Sequence, residues 1–200
     1  MRLLIATTNA GKINEYRLLL EGVGADVVGL RDLRLDLDVA ETGATFGENA
    51  RLKARAYAEA TGLWTLADDS GLCVDVLNGA PGVFSARYGP TDQTRVERLL
   101  NEMRSVPEEK RTARFVCAIV LAEPAGSTRA FEGVCEGRIA RQPSGSNGFG
   151  FDPVFYLPDL AQTMAELPIA VKNQISHRAR AAAQARAWLI DRLAGQPGRP

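Results

Sequence analysis

The chain has 200 residues, 46% of them hydrophobic and 24% charged, and a formal net charge of zero. This is the composition of an ordinary globular domain, without the basic face that duplex nucleic acid demands. The longest charge-free apolar run, residues 115–122, is far too short to span a bilayer.

The N-terminus enters a strand pattern at once (Arg2-Leu3-Leu4-Ile5-Ala6), with no signal-peptide signature. Cys73, Cys117 and Cys135 are odd in number, widely spaced and set among apolar residues. Both features predict a cytoplasmic protein with free buried thiols rather than a disulfide framework or a zinc site. One domain over residues 1–194 is expected, with a flexible tail over 195–200.

The first predicted unit is a strand over 3–7, the polar loop Thr8-Asn9-Ala10-Gly11-Lys12, and a helix to about residue 21. A second strand is expected at 26–30, then an Asp- and Leu-rich loop over 31–43. Thr45, with Glu48 three residues on, forms a capping box for a helix that stops near Gly62. The apolar run 63–67 reads as a buried strand ending in Asp68-Asp69-Ser70-Gly71, followed by a short strand over 72–77.

Beyond the Gly/Pro loop 78–82, a polar amphipathic helix is predicted over 91–105, ended by Pro107, with a charged surface stretch at 108–111. Strands follow at 115–121 and 129–139, the second antiparallel-looking. The Gly-rich loop 145–152 leads to a strand at 154–156, and Ser176 caps a last helix to about residue 193. Strands and helices mix without regular alternation. The pattern predicts an α/β fold: an elongated, mixed central sheet flanked by helices, with a cleft between two lobes.

Asp68-Asp69 is the sharpest chemical signal. Adjacent carboxylates at the carboxyl end of a buried strand repel each other unless a cation or shared proton holds them. The competing reading is an Asx-type turn at Asp69 and Ser70. Glu41, in a loop before Thr42-Gly43, could join Asp69 as a second carboxylate for Mg2+, which takes one or two carboxylates plus waters and phosphates; the alternative is a solvated loop residue.

Only four of the 24 basic residues are lysine, namely Lys12, Lys53, Lys110 and Lys172. Lys110 sits on the charged stretch; the other three stand where a compact ammonium suits a phosphate contact. Lys12 opens a helix after a small polar loop, an arrangement that favours an anion. Lys53 interrupts the inward stripe of Phe46, Ala50 and Tyr57, so it either snorkels to solvent or, with Asn49, lines a polar pocket.

Phe149 and Phe151, separated by Gly150 and ended by Asp152, suit a stacked base, although one or both rings could simply join the core. Lys172, His177 and Arg178 cluster as donors, with no acid nearer in sequence than Glu166.

Six motifs in order carry a resemblance: Thr7-Thr8-Asn9-Ala10-Gly11-Lys12; Glu41-Thr42-Gly43 with Phe46 and Glu48-Asn49-Ala50; Ala67-Asp68-Asp69-Ser70-Gly71-Leu72; Ala80-Pro81-Gly82 with Ser85-Ala86-Arg87-Tyr88; Gly148-Phe149-Gly150-Phe151-Asp152-Pro153; and Ser176-His177-Arg178. Over residues 3–193 the chain resembles the purine nucleoside triphosphate pyrophosphatases that act on deaminated bases, the inosine triphosphatase or Ham1-like family. The resemblance implies a homodimer and Mg2+-dependent hydrolysis of ITP, dITP and XTP to monophosphate and pyrophosphate, which clears deaminated purines.

It further implies that Thr7, Thr8, Asn9, Ala10, Gly11, Lys12 and Lys53 hold the triphosphate. Glu41 and Asp69 would bind the metal, with Asp69 as proton acceptor and Ser70 touching substrate. Phe149, Gly150, Phe151, Asp152, Lys172, His177 and Arg178 would shape the nucleoside pocket. Thr8 replaces a more usual Gly and Phe151 a common Tyr, which removes a hydroxyl. Asp68, one residue back on an alternating strand, is expected to support Asp69.

Rival readings are a Maf-like nucleotide pyrophosphatase with another base choice and a catalytically silent nucleotide-binding protein. A haloacid-dehalogenase-type phosphatase needs its two Asp separated, and here they are adjacent.

Overall fold

The computed structural model describes residues 1–35 and 37–194; the tail expected over 195–200 lies outside the described residues. Seven strands form one open mixed sheet in the order β2-β1-β3-β4-β5-β6-β7. They are β1 (Arg2–Ile5), β2 (Asp26–Gly29), β3 (Trp64–Val74), β4 (Thr112–Ala122), β5 (Thr128–Ile139), β6 (Phe155–Leu157) and β7 (Gln162–Thr163). β1 pairs in parallel with β2 and β3, whereas β5–β6 and β6–β7 are antiparallel. The flanking helices are α1 (Ala10–Leu19), α2 (Phe46–Thr61), α3 (Asp92–Glu102), α4 (Ile169–Ile175) and α5 (His177–Ala194).

The helix starts follow local chemistry. Thr45 Oγ1 accepts the Glu48 N–H and Glu48 Oε2 accepts the Thr45 N–H, closing the capping box at α2. Gly62 ends that helix in the left-handed conformation, at φ 65°. Asn9 caps α1 by accepting the Lys12 N–H, and Thr91 caps α3.

β3 departs from expectation. The sequence suggests a strand that stops at Asp68, or turns there; instead one strand of eleven residues runs straight through Asp68-Asp69-Ser70-Gly71. Both acids are buried, and each meets a polar partner, so the strand has no need to stop and expose them. A Cβ on Gly71 would fall within 2.5 Å of Ser85 Oγ and the Gly82 carbonyl. Ser85 Oγ accepts the Leu72 N–H at 2.9 Å and donates to Gly82 O at 2.7 Å, so glycine is what allows this approach.

The chain divides into two compact units. The first holds Met1–Asp69, Ala118–Gly133 and the residues from Ala179 on. Its core joins Leu4 of β1, Ala6 just past that strand, Ala67 of β3 and Val120 of β4 to Ala50, Ala54 and Tyr57 of α2. In the same unit Trp64 packs on Trp188 of α5, with centroids 6.0 Å apart.

The second unit holds Ser70–Cys117 and Val134–Arg178, around Leu72, Leu99, Phe115, Phe151, Phe155 and Met164. Burying each such large side chain contributes about 1.5–3 kcal/mol. Arg111, expected on a charged surface stretch, is buried here. Its guanidinium donates to the carbonyls of Met103, Ile139 and Ala140, so backbone dipoles at the ends of α3 and β5 replace water.

Cys117 and Cys135 are buried, Cys73 is half-buried, and none of the three is in a disulfide. Among the described residues no helix is long and apolar enough to cross a membrane.

Candidate functional site

In the first unit, alternation along β3 sends the two adjacent acids to different partners. Asp68 Oδ2 lies 2.9 Å from Lys12 Nζ at the start of α1. Asp69, which shares its strand face with Ala67, receives the side-chain amide of Asn49 at 3.0 Å. Asn49 is fully buried one turn into α2, and its own carbonyl oxygen accepts the Gly43 N–H at 2.8 Å. Two residues before that glycine, Glu41 Oε1 stands 2.5 Å from Lys53 Nζ. Lys53 thus joins a polar pocket rather than snorkelling to solvent, with its side chain only 14% exposed.

The electrostatics of this cluster are mutual. Burial works against the Lys53 ammonium, but Asp68, Glu41 and Asp69 outweigh it and hold its proton more firmly than usual. Burial pushes the Asp69 carboxyl up, Lys53 and Asn49 pull it back, and Glu41 adds to the push. The net result lies above the ordinary carboxylate value, the direction a general base working near neutrality requires.

Of the predicted phosphate loop, Thr8, Asn9 and Ala10 are exposed and Thr7, Gly11 and Lys12 half-buried. Thr7 Oγ1 accepts the Asn9 N–H at 3.2 Å, which shapes the turn into α1.

In the second unit, Lys172 of α4 is 2% exposed, with its Nζ 2.5 Å from Asp152 Oδ2. The donor cluster, which has no acid nearer in sequence than Glu166, thus meets its carboxylate twenty residues upstream of Lys172. The same Asp152 oxygen accepts the Phe149 N–H at 2.9 Å. Phe149 is half-buried, with the Lys172 ammonium 5.0 Å and the Arg178 guanidinium 5.6 Å from its ring centre. Phe151 takes the other role: it is buried in the core, edge-on to Tyr88 at 6.2 Å.

Arg178 Nη2 donates to Ser70 Oγ at 2.8 Å, and His177 stacks on Phe115 at 4.7 Å. The structure thus groups Asp69, Glu41 and Lys53 with Asn49, pairs Lys12 with Asp68, and groups Phe149, Asp152, Lys172, Arg178 and Ser70. His177 keeps an aromatic neighbour instead. Asn49, read from the sequence only as a companion of Lys53 in a polar pocket, proves to hold Asp69; its place one turn before Lys53 on the same face of α2 was the available signal.

Among the described residues no group of three or more His, Cys, Asp and Glu side chains could hold a metal ion. The pair Glu41 and Asp69 suits an ion that needs only one or two carboxylates from the protein.

The Ham1 family model matches residues 3–188. The dITP/XTP pyrophosphatase of Halalkalibacterium halodurans is 48% identical over 189 residues, covering 93% of this chain and 97% of that protein. The dITP/XTP pyrophosphatase of Geobacillus kaustophilus is 51% identical over 182 residues, 90% of this chain and 89% of that one. Among solved structures, the Staphylococcus aureus Ham1 protein superposes with a TM-score of 0.86 at 43% identity, covering 96% of this chain and all of that one. With a family model spanning nearly its whole length, this chain belongs to the Ham1 family.

Proposed function

We propose that this protein is a magnesium-dependent nucleoside triphosphate pyrophosphatase. It hydrolyses dITP, XTP and ITP to the monophosphate and pyrophosphate and so clears deaminated purines in the cytoplasm. The observation that carries the reading is the buried Asp69 carboxylate, oriented by Asn49 and flanked by Lys53 and Glu41. The names of the two relatives above support the same substrate class.

The reading assigns the polyphosphate to the first unit's cluster. Lys12 and Lys53 offset its charge, and the first turn of α1 offers backbone N–H groups. Asp69 takes a proton from the water that attacks the α-phosphorus; the bond from that phosphorus to the bridging oxygen breaks, and pyrophosphate leaves. Glu41 and Asp69 would hold Mg2+, which when bound supplies positive charge against the leaving group.

The purine is assigned to the second unit's cluster. Phe149 offers a face for stacking, and Lys172 and Arg178 offer donors that suit a 6-keto oxygen. An adenine amino group would set hydrogen against those donors and leave them unpaired, which is a strong ground for rejection. A homodimer is part of the reading and is checked by light scattering on the eluted protein.

The deciding experiment is pyrophosphate release from ITP, dITP, XTP, GTP, ATP and dTTP, with and without Mg2+. Release from the first three that vanishes with chelator is expected. Release from dTTP but not ITP would overturn the reading, as would binding of ITP without turnover.

A further inference from the structure

We propose that Asp92 is a positioning residue that fixes the plane of the Phe149 ring by holding the backbone amide of Gly150. The inference rests on the reading that Phe149 stacks on the purine. Phe149 stands between Gly148 and Gly150, both left-handed at φ 78° and 63°. Glycine on either side leaves the intervening peptide units little steric restraint of their own, so hydrogen bonds must hold the ring in place. Two carboxylates hold two consecutive amides: Asp152 Oδ2 accepts from Phe149 N at 2.9 Å, and Asp92 Oδ2 from Gly150 N at 2.7 Å.

Asp152 is steadied by Lys172. Asp92, the first residue of α3, is steadied by Arg95, whose Nη1 donates to Asp92 Oδ1 at 2.7 Å and whose Nε donates to the Gly89 carbonyl at 2.9 Å. The separation of 58 positions between Asp92 and Gly150 hides this contact from any local reading of the sequence. A plain structural role is the competitor: an acid in the first turn of a helix is favoured by the dipole whatever it touches.

Charge and acceptor can be separated. Asp92→Ala removes both, and Asp92→Asn keeps an oxygen that can accept from Gly150 while losing the charge. In Asp92→Ala, hydrogen exchange of the peptide covering residues 148–152 should quicken by roughly threefold to tenfold, as expected for a partly exposed charge-assisted bond. The KM for dITP should rise by a similar factor, with kcat held within about twofold. Asp92→Asn should stay near the parent protein in both.

If the two variants lose thermal stability alike while KM stays put, the dipole explains Asp92 and the proposal falls. Unchanged exchange in Asp92→Ala overturns it as well. Should Asp92→Ala not fold, Asp92→Ser, too short to reach Gly150, takes its place with the same expectations. If the parent protein releases no pyrophosphate from any purine triphosphate, it is the proposed function that fails, and the exchange measurement alone decides the clasp.

Discussion

Asn49 donates its side-chain amide to the Asp69 carboxylate at 3.0 Å while its carbonyl oxygen takes the Gly43 N–H at 2.8 Å. One buried side chain therefore ties the candidate base to the loop that carries Glu41. Replacing it with alanine strips both partners of a buried hydrogen bond, which costs about 1–3 kcal/mol. We expect Asn49→Ala to lower the urea midpoint and to depress kcat more than it raises KM. A variant with lowered stability and unchanged kcat would reduce Asn49 to a packing residue.

Asp69→Asn should separate function from stability. Folding raises the Asp69 pKa, burial being the first cause. The folded state then holds the proton more tightly than the unfolded one. Stability falls as pH rises from the unfolded pKa through the raised folded value and stays lower at neutrality. The neutral amide removes that cost. Turnover should drop by about 10²–10⁴-fold, while the melting temperature at pH 7 is equal or higher. Near-parental activity would remove Asp69 from the chemistry.

Lys53 should move the acid limb of the activity profile. Its charge is the largest influence drawing the Asp69 pKa down. In Lys53→Ala the carboxyl keeps its proton to higher pH, so the limb of kcat/KM that needs ionised Asp69 shifts upward. The loss of a cation facing phosphate should also cut kcat/KM by about 10²-fold. A limb that stays in place would show that Lys53 and Asp69 do not sense each other.

Tyr88 braces the loop residue Phe151, and its hydroxyl donates to Glu102 beneath the Arg98 guanidinium. Burial first, and Glu102 second, push its phenol up to about 12, from an ordinary value of about 10. A raised folded value means the neutral phenol stabilises the fold fully below pH ~10, and that the contribution is lost as pH climbs through the folded value. The gap in urea midpoint between the parent protein and Tyr88→Phe should therefore narrow across that alkaline window. A gap that is constant with pH would contradict the shift.

Much of the fold was legible in the chain because it is written in short-range chemistry. Thr45 and Glu48 cap α2, and Gly62 ends it, through contacts no more than four residues apart. The mixed strand pattern named the fold class, and the ordered motifs named the family that the model match bears out. The course of β3 was not legible, since a run of polar residues looks like a turn until its partners are known. Lys12 and Asn49, each more than nineteen residues away in sequence, are what let Asp68 and Asp69 stay buried within a strand.

The composition, the caps and the sparse lysines were properties of the linear chain, and they already pointed to three unusual ammonium groups. Which carboxylate each ammonium meets was settled only by packing. Lys12 turned out to face Asp68, Lys53 to face Glu41 and Lys172 to face Asp152. Charge pairing inside a core depends on which strand and helix faces are brought together. No local spacing encodes that choice, because burial makes each pair necessary only after the chain has folded.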